Sequence, residues 1–393
     1  MNRMSNPTRG YYAEDACDIG EFAALVLQDI DPSDVPHAAE TPNNVPVYDI
    51  PALSAHLEEA AQRRILMTEW ANVLRKGAGV FVLGHAYTDT SAIDAATAIF
   101  DQIIAREKTA NGGGADHFAA AGSNDRIWNS LQKLCEADPE TFLRYHANPA
   151  VDAACEAWLG PHYQMTAQVN LVHPGGAAQQ AHRDYHLGFQ TAEVSAQFPA
   201  HVHDLSPLMT LQGGIAHGDT PLEGGPTKLL PFSQLYRPGY AAWRREDFRA
   251  FFEDHHVQVP LQKGDALFFN PALFHAAGAN CSADIHRMVN LLQVSSAFGR
   301  AMETVNRLKM CKLVFDPLKQ LVSTGELGGA ELDATIAATA EGYSFPTNLD
   351  SDPPANGLAP QTQAALLKES VLDSISAEAF HHALDAQEAR KQA

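Results

Sequence analysis

The chain has 393 residues and a formal net charge of −20, with 45% hydrophobic and 19% charged residues. This is an ordinary globular composition, and the length suits one large domain with additions or two domains. Because a strongly acidic surface repels phosphate backbones and anionic lipids, we expect neither a nucleic acid nor a membrane as a partner.

The sequence shows no sign of a targeting segment or of disulfide bonds. No apolar run approaches the roughly 20 residues that a membrane helix requires, and the segment Met1–Tyr12 lacks the apolar centre of a secretory signal. The five cysteines are scattered and form no CxxC pair. We therefore expect a cytoplasmic protein without a disulfide framework or a thiolate zinc site.

The N-terminal region, residues 1–159, is predicted to be irregular at first and then helical. Residues 1–50 are rich in Pro, Asp and Asn. Apolar residues at helical spacing then predict three stretches: Leu53–Lys76, a helix that opens at Ser91, and Arg126–Leu159 with interruptions at Pro139 and Pro149.

From Gly160 the hydrophobic period changes to two. Polar and apolar residues alternate in Gln164–Leu171, which predicts a strand with one polar and one apolar face. Further strands are predicted between Gly/Pro turns: Leu208–Ile215, Thr227–Leu230, Val257–Leu261, Ala266–Phe269 and Met288–Val294. Short strands with such turns favour an eight-stranded double sheet over residues 160–298. A helical C-terminal extension, residues 299–393, would complete one integrated domain.

Two His-x-Asp triplets stand out, His182-Arg183-Asp184 and His217-Gly218-Asp219, but a chain with 18 histidines can contain such triplets by chance. At alternate positions of an extended segment, a His and an Asp point to the same side. With a His from a distant strand they would form the two-His-one-carboxylate site of non-haem iron(II) oxygenases, whose open positions take co-substrate and dioxygen.

His275 is the candidate third ligand, because it stands at the end of the apolar run that follows Gly264. Arg287 comes twelve residues later and opens the predicted strand Met288–Val294. A fixed guanidinium there can bind the far carboxylate of a dicarboxylate through two parallel hydrogen bonds.

Three stretches together resemble the phytanoyl-CoA dioxygenase family: His182–His186, Gly224–Ser233, and Gly264–Arg287 with Asn280 and Ser282. The resemblance covers roughly residues 160–300, and the metal ligands, central turn and arginine occur in the family's order. It implies a mainly β core, a double-stranded β-helix (jelly roll, cupin-like), that uses iron(II) and 2-oxoglutarate. One departure is Pro231-Phe232-Ser233-Gln234, where the family typically has Pro-Gly-Ser-His.

The resemblance also implies roles for single residues. By it, His182, Asp184 and His275 bind the iron, and Arg287 binds 2-oxoglutarate. The polar strand face before the first ligand usually helps to hold the co-substrate, which nominates two more residues: Gln168 and Asn170.

Some residues are candidates for the substrate side of the site. Tyr185 and His186 directly follow the ligand pair. His217 is a further candidate, with a loop position before the central turn as the alternative. Gly112-Gly113-Gly114 lacks the setting of a phosphate loop and is interpreted as a flexible connection that could act as a lid.

The function implied is that of an iron(II)- and 2-oxoglutarate-dependent dioxygenase, with a small organic molecule and dioxygen as partners and hydroxylation as the default outcome. Two alternatives stay open: a non-catalytic or regulatory protein on the same fold, and another cupin-type metalloenzyme. Because halogenating relatives carry Ala or Gly in place of the acidic ligand, the presence of Asp184 predicts that no halide site exists.

Overall fold

The computed structural model describes residues 10–110, 123–184, 191–355 and 357–392. Its strands are β1 (Val47–Asp49), β2 (Val80–Gly84), β3 (Asn124–Ile127), β4 (Gln164–Val172), β5 (Thr210–Ala216), β6 (Lys228–Leu230), β7 (Ala266–Phe269), β8 (Phe274–Ala276) and β9 (Arg287–Ser295). Seven of them form a mixed sheet in the order β1-β2-β7-β5-β9-β4-β3, and β6 pairs with β8 in a smaller sheet.

The helices that precede β4 in the chain are α1 (Ile19–Val26), α2 (Ile50–Glu58), α3 (Ala60–Arg75), α4 (Ser91–Ala110), α5 (Ser130–Ala137), α6 (Pro139–His146) and α7 (Pro149–Leu159). Short helices α8 (Ala192–Ser195), α9 (Ala200–Leu205), α10 (Gly239–Ala242) and α11 (Glu246–His255) lie between strands. The C-terminal helices are α12 (Arg307–Ser323), α13 (Gly329–Thr339), α14 (Gln363–Leu372) and α15 (Ala377–Lys391).

The hydrophobic core lies between the helices and one face of the seven-stranded sheet. Met165, Ala167 and Val169 of β4 and Leu292 of β9 belong to the same buried cluster as residues of α3 to α7 and α12 to α15. Alternate residues of these strands face the opposite way, where the smaller sheet lies. The seven-stranded sheet therefore has one apolar face covered by helices, and a second face on which polar residues of β4, β5 and β9 lie beside apolar residues of β7.

The two sheets form the predicted double-stranded β-helix with helices around it, but the described residues contain seven and two strands instead of the expected eight, and the larger sheet begins earlier than predicted. β1, β2 and β3 all precede Gly160 and are hydrogen-bonded into the large sheet. All five residues of β2 are buried, so its sequence shows no polar–apolar alternation that would reveal a strand. Gly160 thus marks a change in the hydrophobic pattern of the sequence, but strands from both sides of it belong to the same sheet.

Two other predictions need correction. The helix predicted over Leu53–Lys76 is divided in two, because Glu59 leaves the helical conformation and its carboxylate caps α3 by accepting from the N–H groups of Ala61 and Gln62. The strand predicted over Val257–Leu261 consists of isolated bridges only. Pro260 lacks an N–H group and cannot donate to a ladder there.

The prolines in the third helical region act as predicted. Pro139 and Pro149 occupy the first positions of α6 and α7, where a missing N–H group costs nothing, and Asp138 and Asn148 cap these helices. Within the described residues, no helix is both long enough and apolar enough to cross a bilayer.

Candidate metal centre and active site

A cavity of about 630 Å³ lies between the two sheets. The larger sheet contributes alternate residues of its polar face, among them Gln168 and Asn170 of β4, Gln212 of β5 and Arg287 of β9. His275 of β8 lines the same cavity from the smaller sheet. The volume is in the range of small-molecule sites in proteins.

The three predicted metal ligands meet in this cavity. His182, Asp184 and His275 each offer a ligand atom, and these atoms all lie within 4.8 Å of one another; within the described chain no other group of His, Cys, Asp and Glu does so. The carboxylate of Asp184 lies 3.7 Å from Nε2 of His182 and 3.6 Å from Nε2 of His275. This compact set forms because His182 and His275 exchange both backbone hydrogen bonds, at 3.0 and 3.1 Å.

Backbone carbonyls orient both imidazole rings. Nδ1 of His182 lies 2.9 Å from the carbonyl oxygen of Gln180, and Nδ1 of His275 lies 2.9 Å from that of Leu273. Each Nδ1 therefore carries the proton and donates it, and the lone pair of Nε2 points towards the other ligands. Burial, followed by the neighbouring His275, lowers the pKa of His182, which favours the neutral ring that a metal requires.

Gln212 holds the carboxylate of Asp184. Its Nε2 donates to Oδ2 of Asp184 and also reaches Oε1 of Gln293 at 3.4 Å. Burial alone would raise the pKa of Asp184, but the hydrogen bond with His275 and the two histidine rings together lower it below its usual range. Asp184 is thus an anion at neutral pH, and Gln212 restricts the orientation of its two oxygens.

The central turn fixes the strand that carries His275. The Ser233 hydroxyl donates to the carbonyl of Leu230 and accepts from the N–H of Phe274 at 2.8 Å. Phe232, where the family typically has glycine, takes the left-handed conformation with φ 67°. The departure in sequence therefore keeps the backbone path of a glycine, and the Phe232 ring is buried in a hydrophobic cluster.

Arg287 is a buried cation that faces the cavity. Only 7% of it is exposed, and its guanidinium donates to the carbonyls of Gly224 and Gly278 at 3.3 Å each. Among the described residues no carboxylate influences it, and burial alone lowers its pKa to about 10. A buried positive charge without an acidic partner is suited to an anionic ligand.

Gln168 and Asn170 both line the cavity, and their contact with the co-substrate stays a prediction. Oε1 of Gln168 accepts from Arg126 at 3.1 Å, and its Nε2 contacts Sδ of Met302. Oδ1 of Asn170 is buried and has no hydrogen-bond partner in the structure.

The second His-x-Asp triplet is not brought to the cavity. His217 follows β5 with its side chain on the helix-covered face, where Nδ1 lies 2.8 Å from Oγ1 of Thr97 and Nε2 lies 2.8 Å from the hydroxyl of Tyr145. Asp219 accepts from the backbone N–H of Lys263. Because both nitrogens of His217 are engaged within the core, the structure gives it no contact with a substrate.

Three further predictions fall outside the described residues: those for Tyr185, His186 and the segment Gly112-Gly113-Gly114.

The donor set fits iron(II). Two neutral imidazole nitrogens and one carboxylate converge on one point, and a metal bound by them would keep its remaining positions open towards the cavity. Gln212 and Gln293, which support Asp184, were not predicted from the sequence. The signal that could have revealed them is a glutamine in the middle of an otherwise apolar strand.

The fold and the site together define an oxygenase-type iron centre on a double-stranded β-helix. Residues 76–289, more than half of the chain, match the model of the family "Phytanoyl-CoA dioxygenase (PhyH)". The chain belongs to this family, whose members use iron(II) and 2-oxoglutarate.

Named relatives are similar over part of their length. The chain is 27% identical to the dioxygenase andF of Emericella variicolor over 36% of this chain and 45% of the relative. It is 26% identical to the dioxygenase trt7 of Aspergillus terreus over 42% and 52%. It is also 26% identical to the dioxygenase aneA of Aspergillus aculeatus over 48% and 59%. The chain thus spans about half the length of the curated relatives it matches.

Two of the solved structures to which the chain is similar come from nogalamycin biosynthesis. The non-heme alpha ketoglutarate dependent carbocyclase SnoK is 21% identical, with a TM-score of 0.45, over 61% of this chain and 87% of SnoK. The epimerase SnoN, in complex with Fe3+, alpha ketoglutarate and nogalamycin RO, is 19% identical, with a TM-score of 0.43, over 61% and 87%.

Proposed function

We propose that the protein is an iron(II)- and 2-oxoglutarate-dependent dioxygenase that hydroxylates a small organic molecule. One observation carries the proposal: His182, Asp184 and His275 converge in a cavity into which Arg287, a buried cation without an acidic partner among the described residues, also points. A metal site alone would fit many cupin-type enzymes, but the isolated guanidinium adds a place for a dicarboxylate.

The protein's own residues bind and orient the reactants. His182, Asp184 and His275 would hold the metal on one side, and Arg287 would bind the far carboxylate of 2-oxoglutarate. Iron(II) held by these residues would supply the oxidising chemistry, in which one oxygen atom of dioxygen would go to a substrate C–H bond and the other to succinate, with loss of carbon dioxide from 2-oxoglutarate. The apolar residues Leu267 and Phe269 line the cavity and limit access of water.

The free cysteines of the described chain support a reducing compartment, and we place the protein in the cytoplasm.

The test is the formation of succinate from 2-oxoglutarate by the purified protein with iron(II), together with the iron content of two matched variants. Asp184→Ala removes the anionic ligand and should lower both iron content and succinate formation. Asp219→Ala removes the aspartate of the other triplet and should leave both unchanged. Full iron content in Asp184→Ala with loss in Asp219→Ala would show that the wrong triplet had been chosen. A protein that binds iron and 2-oxoglutarate but forms no succinate would be non-catalytic.

A further inference from the structure

The cavity differs in charge from the rest of the protein. The chain carries 47 acidic residues against 27 Lys and Arg, yet among the described lining residues the only carboxylate is that of Asp184. Five arginines line the same cavity: Arg126, Arg183, Arg244, Arg287 and Arg300. Among the described lining residues, the balance of charge is therefore the reverse of that of the whole chain.

Two of these arginines already have a role. Arg183 donates to the carbonyls of Ser233 and Tyr236 and packs between aromatic rings, so it stabilises the turn behind the metal ligands. Arg287 faces the co-substrate position. The other three arginines, Arg126, Arg244 and Arg300, also have interactions within the protein, among them the electrostatic interaction of Arg244 with Glu193.

Arg126 is held in place on one wall of the cavity. It belongs to β3, opposite Asn170 of β4, and donates to Oε1 of Gln168 at 3.1 Å. Its guanidinium lies 5.2 Å from the centre of the Trp128 ring, which also lines the cavity. Glu303 influences Arg126 electrostatically but does not line the cavity.

Arg244 forms a second arginine–indole pair. Its guanidinium lies 4.0 Å from the centre of the Trp243 ring, and that ring lies 6.5 Å from the ring of His182. This pair is therefore beside the metal ligands. Flat indole rings next to guanidinium groups provide apolar contact and anion binding to the same ligand.

Asn170 supplies a third feature. It is 8% exposed, lines the cavity, and its Oδ1 has no hydrogen-bond partner. In the orientation that the structure shows, 2-oxoglutarate, which is ionised at neutral pH, has no donor for this oxygen. A hydroxyl or amide N–H group of another ligand can donate to it.

We propose that the substrate is an organic acid with an apolar or aromatic skeleton, whose carboxylate or phosphate is bound by Arg126 or Arg244 while Trp128 and Trp243 contact the skeleton. The proposal rests on the proposed function, because it assumes that Arg287 binds the co-substrate and leaves the other arginines to the substrate. It names a class of substrate, which neither the family nor the metal site determines.

The test compares organic acids with their own neutral amides as ligands. Aromatic and aliphatic carboxylic acids, each paired with its amide, are titrated into the protein loaded anaerobically with iron(II) and 2-oxoglutarate, with calorimetry as readout. We expect acids that bind at least about tenfold more tightly than their amides, with a preference that declines as salt is added because part of the attraction is screened. The absence of any acid with such a preference would overturn the proposal.

Variants identify the residues responsible. Arg126→Gln and Arg244→Gln should reduce the preference for the acid, at least one of them by about tenfold. Arg237→Gln is the control, because Arg237 pairs with Asp204 and does not line the cavity. If both cavity variants keep the preference for the acid over its amide, neither arginine binds the substrate anion and the assignment is refuted. The assignment is also refuted if a variant loses this preference and binds 2-oxoglutarate equally more weakly, since the arginine would then bind the co-substrate.

Two further measurements on the same preparations distinguish a failure of this proposal from a failure of the proposed function. Iron content and affinity for 2-oxoglutarate are measured on each, and acid and amide are also compared on metal-free protein. A protein that binds neither iron nor 2-oxoglutarate would refute the dioxygenase, while a preference for acids in that protein would still support the anionic ligand.

Discussion

Replacement of Arg287 by methionine tests the co-substrate site most directly, because it should strongly weaken binding of 2-oxoglutarate with little effect on folding. The pKa of Arg287 is lowered to about 10 by burial. A free guanidinium has a pKa above about 12, so the difference corresponds to about 3 kcal/mol of unfavourable charge burial. This cost is fully present at neutral pH, where the group is charged in both the folded and the unfolded state.

Methionine removes that cost but also removes two hydrogen bonds. The guanidinium donates to the carbonyls of Gly224 and Gly278 at 3.3 Å each, and the net contribution of such a bond is about 1 kcal/mol. The opposing effects differ by about 1 kcal/mol, so the melting temperature of the ligand-free protein should change by no more than about 4 °C.

Ligand binding should respond much more strongly. Loss of one partner of a desolvated charge pair costs about 2–4 kcal/mol, which is roughly a thirtyfold to thousandfold weaker affinity for 2-oxoglutarate. The assay is the rise in melting temperature on addition of 2-oxoglutarate to anaerobic, iron-loaded protein. At a concentration of about 100 times the wild-type dissociation constant the wild type gains about 2.7 kcal/mol, and Arg287→Met should gain less than about 1 kcal/mol.

Arg307→Met is the matched control. Arg307 also donates to backbone carbonyls, those of Ala338 and Met165, and burial also lowers its pKa, but it does not line the cavity. Arg307→Met should still show the rise in melting temperature on addition of 2-oxoglutarate. Two results would refute the reasoning: an unchanged rise in Arg287→Met, which removes this residue from the co-substrate site, or a large loss of stability without ligand, which means that its charge is compensated within the protein.

Three other outcomes are expected. Gln212→Leu should weaken iron binding by about 10- to 100-fold in a chelator competition, as for other groups that orient a metal ligand; an unchanged affinity would mean that Asp184 needs no such support. Burial lowers the pKa of both His146 and His217 to about 3, so they stay neutral in the folded protein, whereas the unfolded chain protonates them below about pH 6.5. The free energy of unfolding should therefore fall by about 2 kcal/mol per histidine between pH 7 and pH 5. Measured by urea denaturation, this fall should be smaller in His217→Gln than in the wild type. An equal fall in the two proteins would show that His217 does not contribute to the pH dependence. Because Asp184 fills the position that a halide would need, mass spectrometry of products formed in chloride should detect hydroxylated or desaturated compounds, and a chlorinated product would contradict this.

The sequence by itself predicted the three residues that meet in the cavity and the polar face of the strand β4. His182 and Asp184 are two residues apart on an extended segment, so their common direction follows from local geometry alone. The alternation in Gln164–Leu171 likewise placed Gln168 and Asn170 on the cavity side. Predictions from such local patterns are independent of the rest of the fold, because they depend only on residues that are neighbours in the chain.

Only the tertiary structure decided where a strand buried on both faces lies in the sheet and which residues far apart in the chain contact one another. β2 is buried throughout, so nothing in its sequence distinguished it from other apolar runs, and its place in the sheet depends on its pairing with β7. His217 resembled a ligand in sequence, but the pairing of β5 turned its ring to the helices and Tyr145. The support of Asp184 by Gln212 and the presence of both Arg126 and Arg244 in one cavity depend on the tertiary fold, which brings together residues far apart in the chain.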